Sequence, residues 1–294
     1  MKKALYLLTF VLFHTAFSQS YVDLFRLDCD YSFPRPFEGS NVNGELIEYS
    51  ADLTLPVVIN PKLNLITGIN AEWVNVTLNP DDSKTNFAAY MLKLGANVKH
   101  TDRLAATYIL LPKLASNQIA FRNDNFQLGG IALFKIHKTE NLNYKFGAYV
   151  NSEFFGPFVV PIFGLYRKNE KFETNLTLPI NADFNFSISP STKLGLKFTG
   201  LNKSFFLDEN PDQYMVKINN EIGPYIMLGK DRLRFQVQAG MGILRSYRTY
   251  DTNDKLDYAI SLIRPGDNRV QLNTDFKDGF FIKSSFIYRF TIGK

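Results

Sequence analysis

Fifteen charged side chains stand on the polar side of alternating runs in this chain. They are Glu48, Asp52, Glu72, Lys93, Lys135, Lys145, Glu153, Arg167, Glu173, Lys197, Lys217, Glu221, Arg234, Lys283 and Arg289. Charges of both signs that line an enclosed space do electrostatic work. They pair across it as a structural network, or they set the transverse field that sorts ions in a pore. Nine of the fifteen are basic and six acidic, a bias that favours small anions.

Other chemistry has little to stand on. Cys29 is the single cysteine, which excludes an intrachain disulfide and leaves a small apolar side chain as its simplest role. His100 and His137 are the histidines left beyond the first eighteen residues, and both sit beside short turns. A barrel enzyme acting on lipid needs its activated nucleophile near the outer rim, and no Gly-x-Ser-x-Gly motif is present, so no enzyme is expected. The acidic groups Asp81-Asp82, Asp208-Glu209 with Asp212, and Asp251 with Asp254 lack the spacing of a calcium loop. No metal and no cofactor is expected.

The elements that carry the charges read as strands. Glu45 to Val58 alternates most cleanly, with Ile47, Tyr49, Ala51, Leu53, Leu55 and Val57 on one face and Glu48, Ser50, Asp52 and Thr54 on the other. Successive strand side chains point to opposite faces, whereas a helix would have acidic residues in every turn of its apolar stripe. At the end of the chain Ile282, Phe286, Tyr288 and Phe290 oppose Lys283, Ser285, Arg289 and Thr291, with Ile287 out of pattern. Near the beginning Phe25, Leu27, Cys29, Tyr31 and Phe33 oppose Arg26, Asp28, Asp30 and Ser32.

Met1 to Ser18 reads as an export signal. Lys2 and Lys3 precede a short apolar core, and Ala16-Phe17-Ser18 offers small residues for cleavage before Gln19, leaving 19–294 as one domain. No later run approaches the ~18–20 apolar residues of a membrane helix. Yet the chain holds 27 Phe and 15 Tyr. Export, abundant aromatics and no long apolar run suit a barrel whose lipid-facing residues interleave with lumen residues. The formal charge of +5 is too small to argue for nucleic acid.

The connections sharpen this. Short turns begin near Asn60, His100, Lys138, Asn169, Ser189 and Gly229, while 34–43, 79–87, 116–124, 208–213 and 248–277 are longer. Short turns alternating with long loops mark an outer-membrane barrel, with the turns on the periplasmic side. The expectation is an all-β, transmembrane, antiparallel up-and-down β-barrel of about fourteen strands, or twelve if 183–188 or the first strand stays out of the sheet. Tyr258, Ile260, Leu262 and Ile263 are unusually apolar for a loop. They either extend the flanking strands or fold inward as a constriction.

Leu176-Thr-Leu-Pro179 with its echo Leu53-Thr-Leu-Pro56, the run Pro161-Ile-Phe-Gly-Leu-Tyr166 and Phe286-Ile-Tyr-Arg-Phe290 resemble uncharacterised outer-membrane β-barrel proteins of Bacteroidota-type bacteria, a domain-of-unknown-function family. The resemblance implies a barrel and brings no catalytic residues and no substrate.

The leading functional expectation is a passive, porin-like channel for small solutes, monomeric and exported to the bacterial outer membrane. Its partners would be membrane lipid, lipopolysaccharide and the barrel-assembly machinery. Two readings compete with it: a non-conducting structural or surface-binding barrel, and a secreted soluble β-sandwich.

Overall fold

The computed structural model describes residues 21–118, 125–208, 212–261 and 266–291, so the expected export signal lies outside the described residues. Strands β1 (Tyr21–Pro36), β2 (Asn43–Asn60), β3 (Leu63–Thr77), β4 (Lys84–Lys99), β5 (Leu104–Ser116) and β6 (Phe126–Thr139) each pair antiparallel with the next. The ladder continues through β7 (Leu142–Glu153), β8 (Gly156–Lys168), β9 (Phe172–Thr177), β10 (Asn181–Ser189), β11 (Thr192–Leu207) and β12 (Gln213–Leu228). β12 then pairs with both β13 (Leu233–Gly242) and β14 (Ser246–Asp251), which follow each other along one wall position. The two-residue β15 (Ala259–Ile260) stands outside the ring. β16 (Gly279–Thr291) pairs with β13 on one side and with β1 on the other, from Tyr21↔Thr291 to Ser32↔Phe281. The result is a closed antiparallel up-and-down barrel of fourteen wall positions.

Closure explains the burial pattern. Leu27, Tyr49, Leu94, Phe126, Phe146 and Phe286 point away from the lumen and stay exposed, a belt that has its solvent in lipid. Glu72, Lys145, Glu153, Gln238 and Arg289 point inward and are buried. Because β16 pairs with both β1 and β13, neither the first nor the last strand is left as an open end of the sheet, as a hydrocarbon setting demands.

Three departures from strict alternation matter for the lumen. At the loop end, β7 and β8 are joined by Phe154 and Phe155 alone, and β9 and β10 by residues 178–180, connections as short as the turns. β9 stops at Thr177, two residues before Pro179, which lacks an N–H and cannot continue the ladder. Between β13 and β14 the chain breaks at 243–245, where Leu244 takes a φ of 51°.

The third break lets part of the wall turn inward. Residues 214–217 and Asn219 of β12 and most of β14 are buried on both faces, as are Ser204, Phe205 and Phe206 of β11. The end of β11 crosses to β5, with Phe206 in parallel register with Ser116 and Asn117 N donating to Phe206 O at 3.0 Å. This inner sheet packs Phe205, Met215 and Tyr247 against Val74, Val76, Phe87 and Phe276. Its other face sets Tyr214, Val216 and Tyr250 against Phe155, Phe158, Val160, Leu256 and Ala259.

The segment 252–278 therefore neither extends both flanking strands nor plugs the lumen by itself. Its first neighbour, β14, joins the inner sheet, while β15 lies parallel on the edge of β8, pairing Ala259 with Phe158 and Ile260 with Val159. Leu262 and Ile263 lie outside the described residues. Arg269 ties this segment down. Its guanidinium contacts Asp267 at 2.8 Å, donates to Tyr214 Oη at 3.2 Å and stacks 4.2 Å from the Tyr250 ring.

Candidate functional site: a two-faced lumen

Of the fifteen charged candidates, fourteen carry their side chains to the inside of the barrel, on the wall or, for Lys217, on the inner sheet. Arg167 does not. Its neighbour Tyr166 faces inward and is buried, so Arg167 falls on the outer face near the turn after β8. The reason is that β8 inverts the rule. Phe158, Val160, Ile162 and Tyr166 line its lumen side, and the outward side is apolar as well, so polarity does not report which way it faces.

The charges that meet form three clusters where the inner sheet approaches the wall. Lys217 Nζ lies 2.7 Å from Glu48 and 2.6 Å from Glu72, and Lys203 Nζ lies 2.5 Å from the second Glu72 oxygen. Lys283 pairs with Asp30 at 2.9 Å and with Glu221, which also holds Arg245 at 2.6 Å. On the far side Glu153 Oε2 accepts from Ser204 N at 2.7 Å and from Ser204 Oγ at 2.6 Å, while Lys113 holds Glu153 at 3.3 Å. Charges this enclosed persist because each has partners that replace lost water.

A second cross-lumen layer lies toward the turn end. Tyr21 Oη donates to Glu173 at 2.7 Å, Lys193 holds Glu173 at 2.8 Å, and Arg289 sits 3.7 Å over the Tyr21 ring while pairing with Asp23 at 2.5 Å. Tyr225 Oη donates to Asp183 at 2.8 Å, its ring resting on Gly195, where a Cβ would come within 2.4 Å. This layer draws on β1, β9 to β12 and β16. Elsewhere around the wall, Lys93 pairs with Asp52 at 2.6 Å, and Lys145 Nζ reaches β9 to donate to Asn175 at 2.6 Å. Lys135, the register partner of Lys145, has no hydrogen bond or ion pair among the described residues.

Inside the barrel is a cavity of about 1200 Å³. One side is charged, with Arg26, Asp28, Asp30, Asp52, Lys197 and Lys283; the other is apolar, with Met91, Leu111, Ile131, Tyr149, Phe158 and Val160. Several of these positions escaped the sequence reading. Asp28 and Asp30 stand on the polar side of the first strand, whereas Lys113 faces the lumen from β5, a wall strand otherwise almost wholly apolar. Lys203 and Arg245 reach the lumen where the end of β11 and the break at 243–245 turn inward. Among the described residues no group of His, Cys, Asp and Glu is arranged to hold a metal ion.

A closed antiparallel barrel with an apolar belt outside and charges within has the fold of bacterial outer-membrane barrels. The chain belongs to the family described as Domain of unknown function (DUF6268), whose model matches residues 36–259. No curated protein matches it. Among solved structures, an outer membrane channel from Pseudomonas putida F1 is similar at 9% identity, over 92% of this chain and 96% of that one, with a TM-score of 0.44. The toluene transporter TodX of Pseudomonas putida is similar at 9% identity, over 90% and 88%, with a TM-score of 0.34. Both are barrels, and neither says anything of this chain's solutes.

Proposed function

We propose that this protein is an outer-membrane channel for small solutes whose outer half is obstructed by its own wall. The observation that carries the reading is the 1200 Å³ cavity beneath the inner sheet. A barrel serving only as a structural or surface-binding element has no need of such a space. The inner sheet makes it a restricted channel, unlike a wide diffusion pore, because three strands occupy the section that a fourteen-strand ring would otherwise leave to water. Solutes leave toward the turns on the β4 to β7 side, past Lys135 and Lys145, the side opposite the Tyr21–Glu173–Arg289 layer. The unpaired ammonium of Lys135 favours anions there. In this reading the barrel works as a monomer, surrounded by outer-membrane lipid and lipopolysaccharide and folded by the barrel-assembly machinery.

Planar bilayers test it. The purified protein gives small discrete conductance steps. In a Cys29→Ser background, Ser116→Cys with Phe206→Cys ties the inner sheet to β5, and oxidation suppresses the steps until reductant is added. A bilayer that stays sealed at high protein loading overturns the channel reading.

A further inference from the structure

The wall between β8 and β11 is incomplete. β9 pairs with β8 only from Tyr166 to Lys168, with one further bridge at Phe163↔Leu178, and β10 pairs with β11 as far as Thr199, with Gly200 N donating to Ile180 O at 2.8 Å just beyond. Above that short hairpin the loop-end half of β8 has no β9 beside it, and β11 has left the wall for the inner sheet. In hydrocarbon a bare strand edge is costly, since each unpaired N–H or C=O lacks water to replace its partner. Among the described residues, the edge is covered by the segment 256–261 that carries β15. The cover is two residues of parallel ladder, with Ser261 N donating to Val159 O at 2.9 Å and Leu256 N donating to Phe155 O at 2.8 Å. Parallel pairing is also the weaker geometry per residue.

What lies on either side of this seam is apolar. Outward are Phe163, Leu178, Tyr258 and Ile260, all exposed beside the lipid belt. Inward, Phe158, Val160, Pro179, Ile180 and Ile218 line the cavity, and Ser261 of the covering segment lines it too. The covering segment thus separates the cavity from the membrane. From there the apolar side of the cavity runs on to Tyr149, Ile131 and Leu111, facing the charged side at Asp28 and Lys197.

We propose that the seam between β8 and β11 is a lateral port through which single-chain amphipathic molecules pass between the outer leaflet and the cavity, with residues 256–261 as its movable cover. The two-sided cavity suits that class, since the chain lies on the β4 to β8 side and the polar head meets the charged side. The proposal rests on the channel reading only in taking the lumen as a place for solutes, and it adds a route that does not pass the inner sheet.

The test is a reversible lock. In a Cys29→Ser background, Val159→Cys and Ile260→Cys place thiols on facing register partners on the lipid side, so no cavity residue is altered. The protein is reconstituted in liposomes containing a diazirine-bearing hexadecanoic acid, irradiated, and mapped by peptide mass. With the lock reduced, label is expected on Tyr149, Phe158 and Val160 as well as on the lipid-facing Phe163 and Leu178. With the lock oxidised, the first group is lost and the second stays. Replacing 256–261 by a Gly-Ser segment increases the cavity label. Cavity labelling that is unchanged by the lock, or absent with the lock reduced, overturns the port. Ion conductance is recorded on the same samples: steps that survive the lock separate a failed port from a failed channel.

Discussion

The ammonium of Lys217, on the inner sheet, lies 2.6 Å from Oε1 of Glu72, on the barrel wall. The contact joins residues 145 apart in sequence and helps hold the loop-end parts of β11, β12 and β14 inside the barrel. Glu72 is shared with Lys203, so one carboxylate holds two strands of the inner sheet.

Glu72→Leu leaves Lys203 without its carboxylate and Lys217 with Glu48 alone. Removing one partner from a buried ion pair costs roughly 3 kcal/mol. The urea midpoint of the refolded barrel is expected to fall, and conductance in bilayers to rise as the inner sheet loosens. An unchanged midpoint together with unchanged conductance would show that the tie does not hold the sheet.

Phe205→Ala tests the packing side of the same arrangement. Phe205 is fully buried and meets Phe87 edge-on at 5.6 Å between centroids. Truncating a buried phenylalanine costs about 3–5 kcal/mol. The temperature at which the folded band disappears in heat-modifiable gels should drop, while Phe163→Ala, on the lipid side, should shift it far less.

Lys135 addresses selectivity. Lys135→Glu puts a carboxylate beside Lys145 and removes the unpaired ammonium, so the reversal potential across a salt gradient should move toward cation preference. If it does not move, ions do not pass on that side of the barrel.

Arg269 is the anchor of the loop-end segment. Although burial lowers its affinity for a proton, the Asp267 carboxylate and the Tyr214 hydroxyl outweigh that and hold it above the ordinary arginine value. It therefore stays charged at any working pH. Arg269→Ala removes the ion pair and the contact with the Tyr250 ring, and limited trypsin should then cut at Lys255 or Lys277 faster than in the wild type.

The wall was legible because water and lipid impose opposite demands on alternate residues. Glu45 to Val58 could be read as a strand, with its lumen face assigned, from that demand alone. The same logic failed wherever both faces of a strand share one environment. β8 is apolar on both sides, so Arg167 went to the wrong face. Tyr214, Met215, Val216 and Lys217 are buried on both sides, so neither face carries the lipid-against-lumen contrast that would show they have left the wall. The inward fold depends on the break at Leu244, on the short β9 and β10, and on the pairing of Lys217 with Glu48 and Glu72. Those are meetings between distant segments, and no local pattern encodes them.

Tyr21 and Thr291 are register partners, so the first and last strands meet side by side at the turn end. A ring built this way has no intrinsic beginning. Linking the two ends and cutting the chain instead at Pro61 and Lys62 would keep every wall pairing and relocate only the point where synthesis starts. A circular permutant of that kind would show whether the order in which strands leave the ribosome matters to this barrel, or only which strands are neighbours.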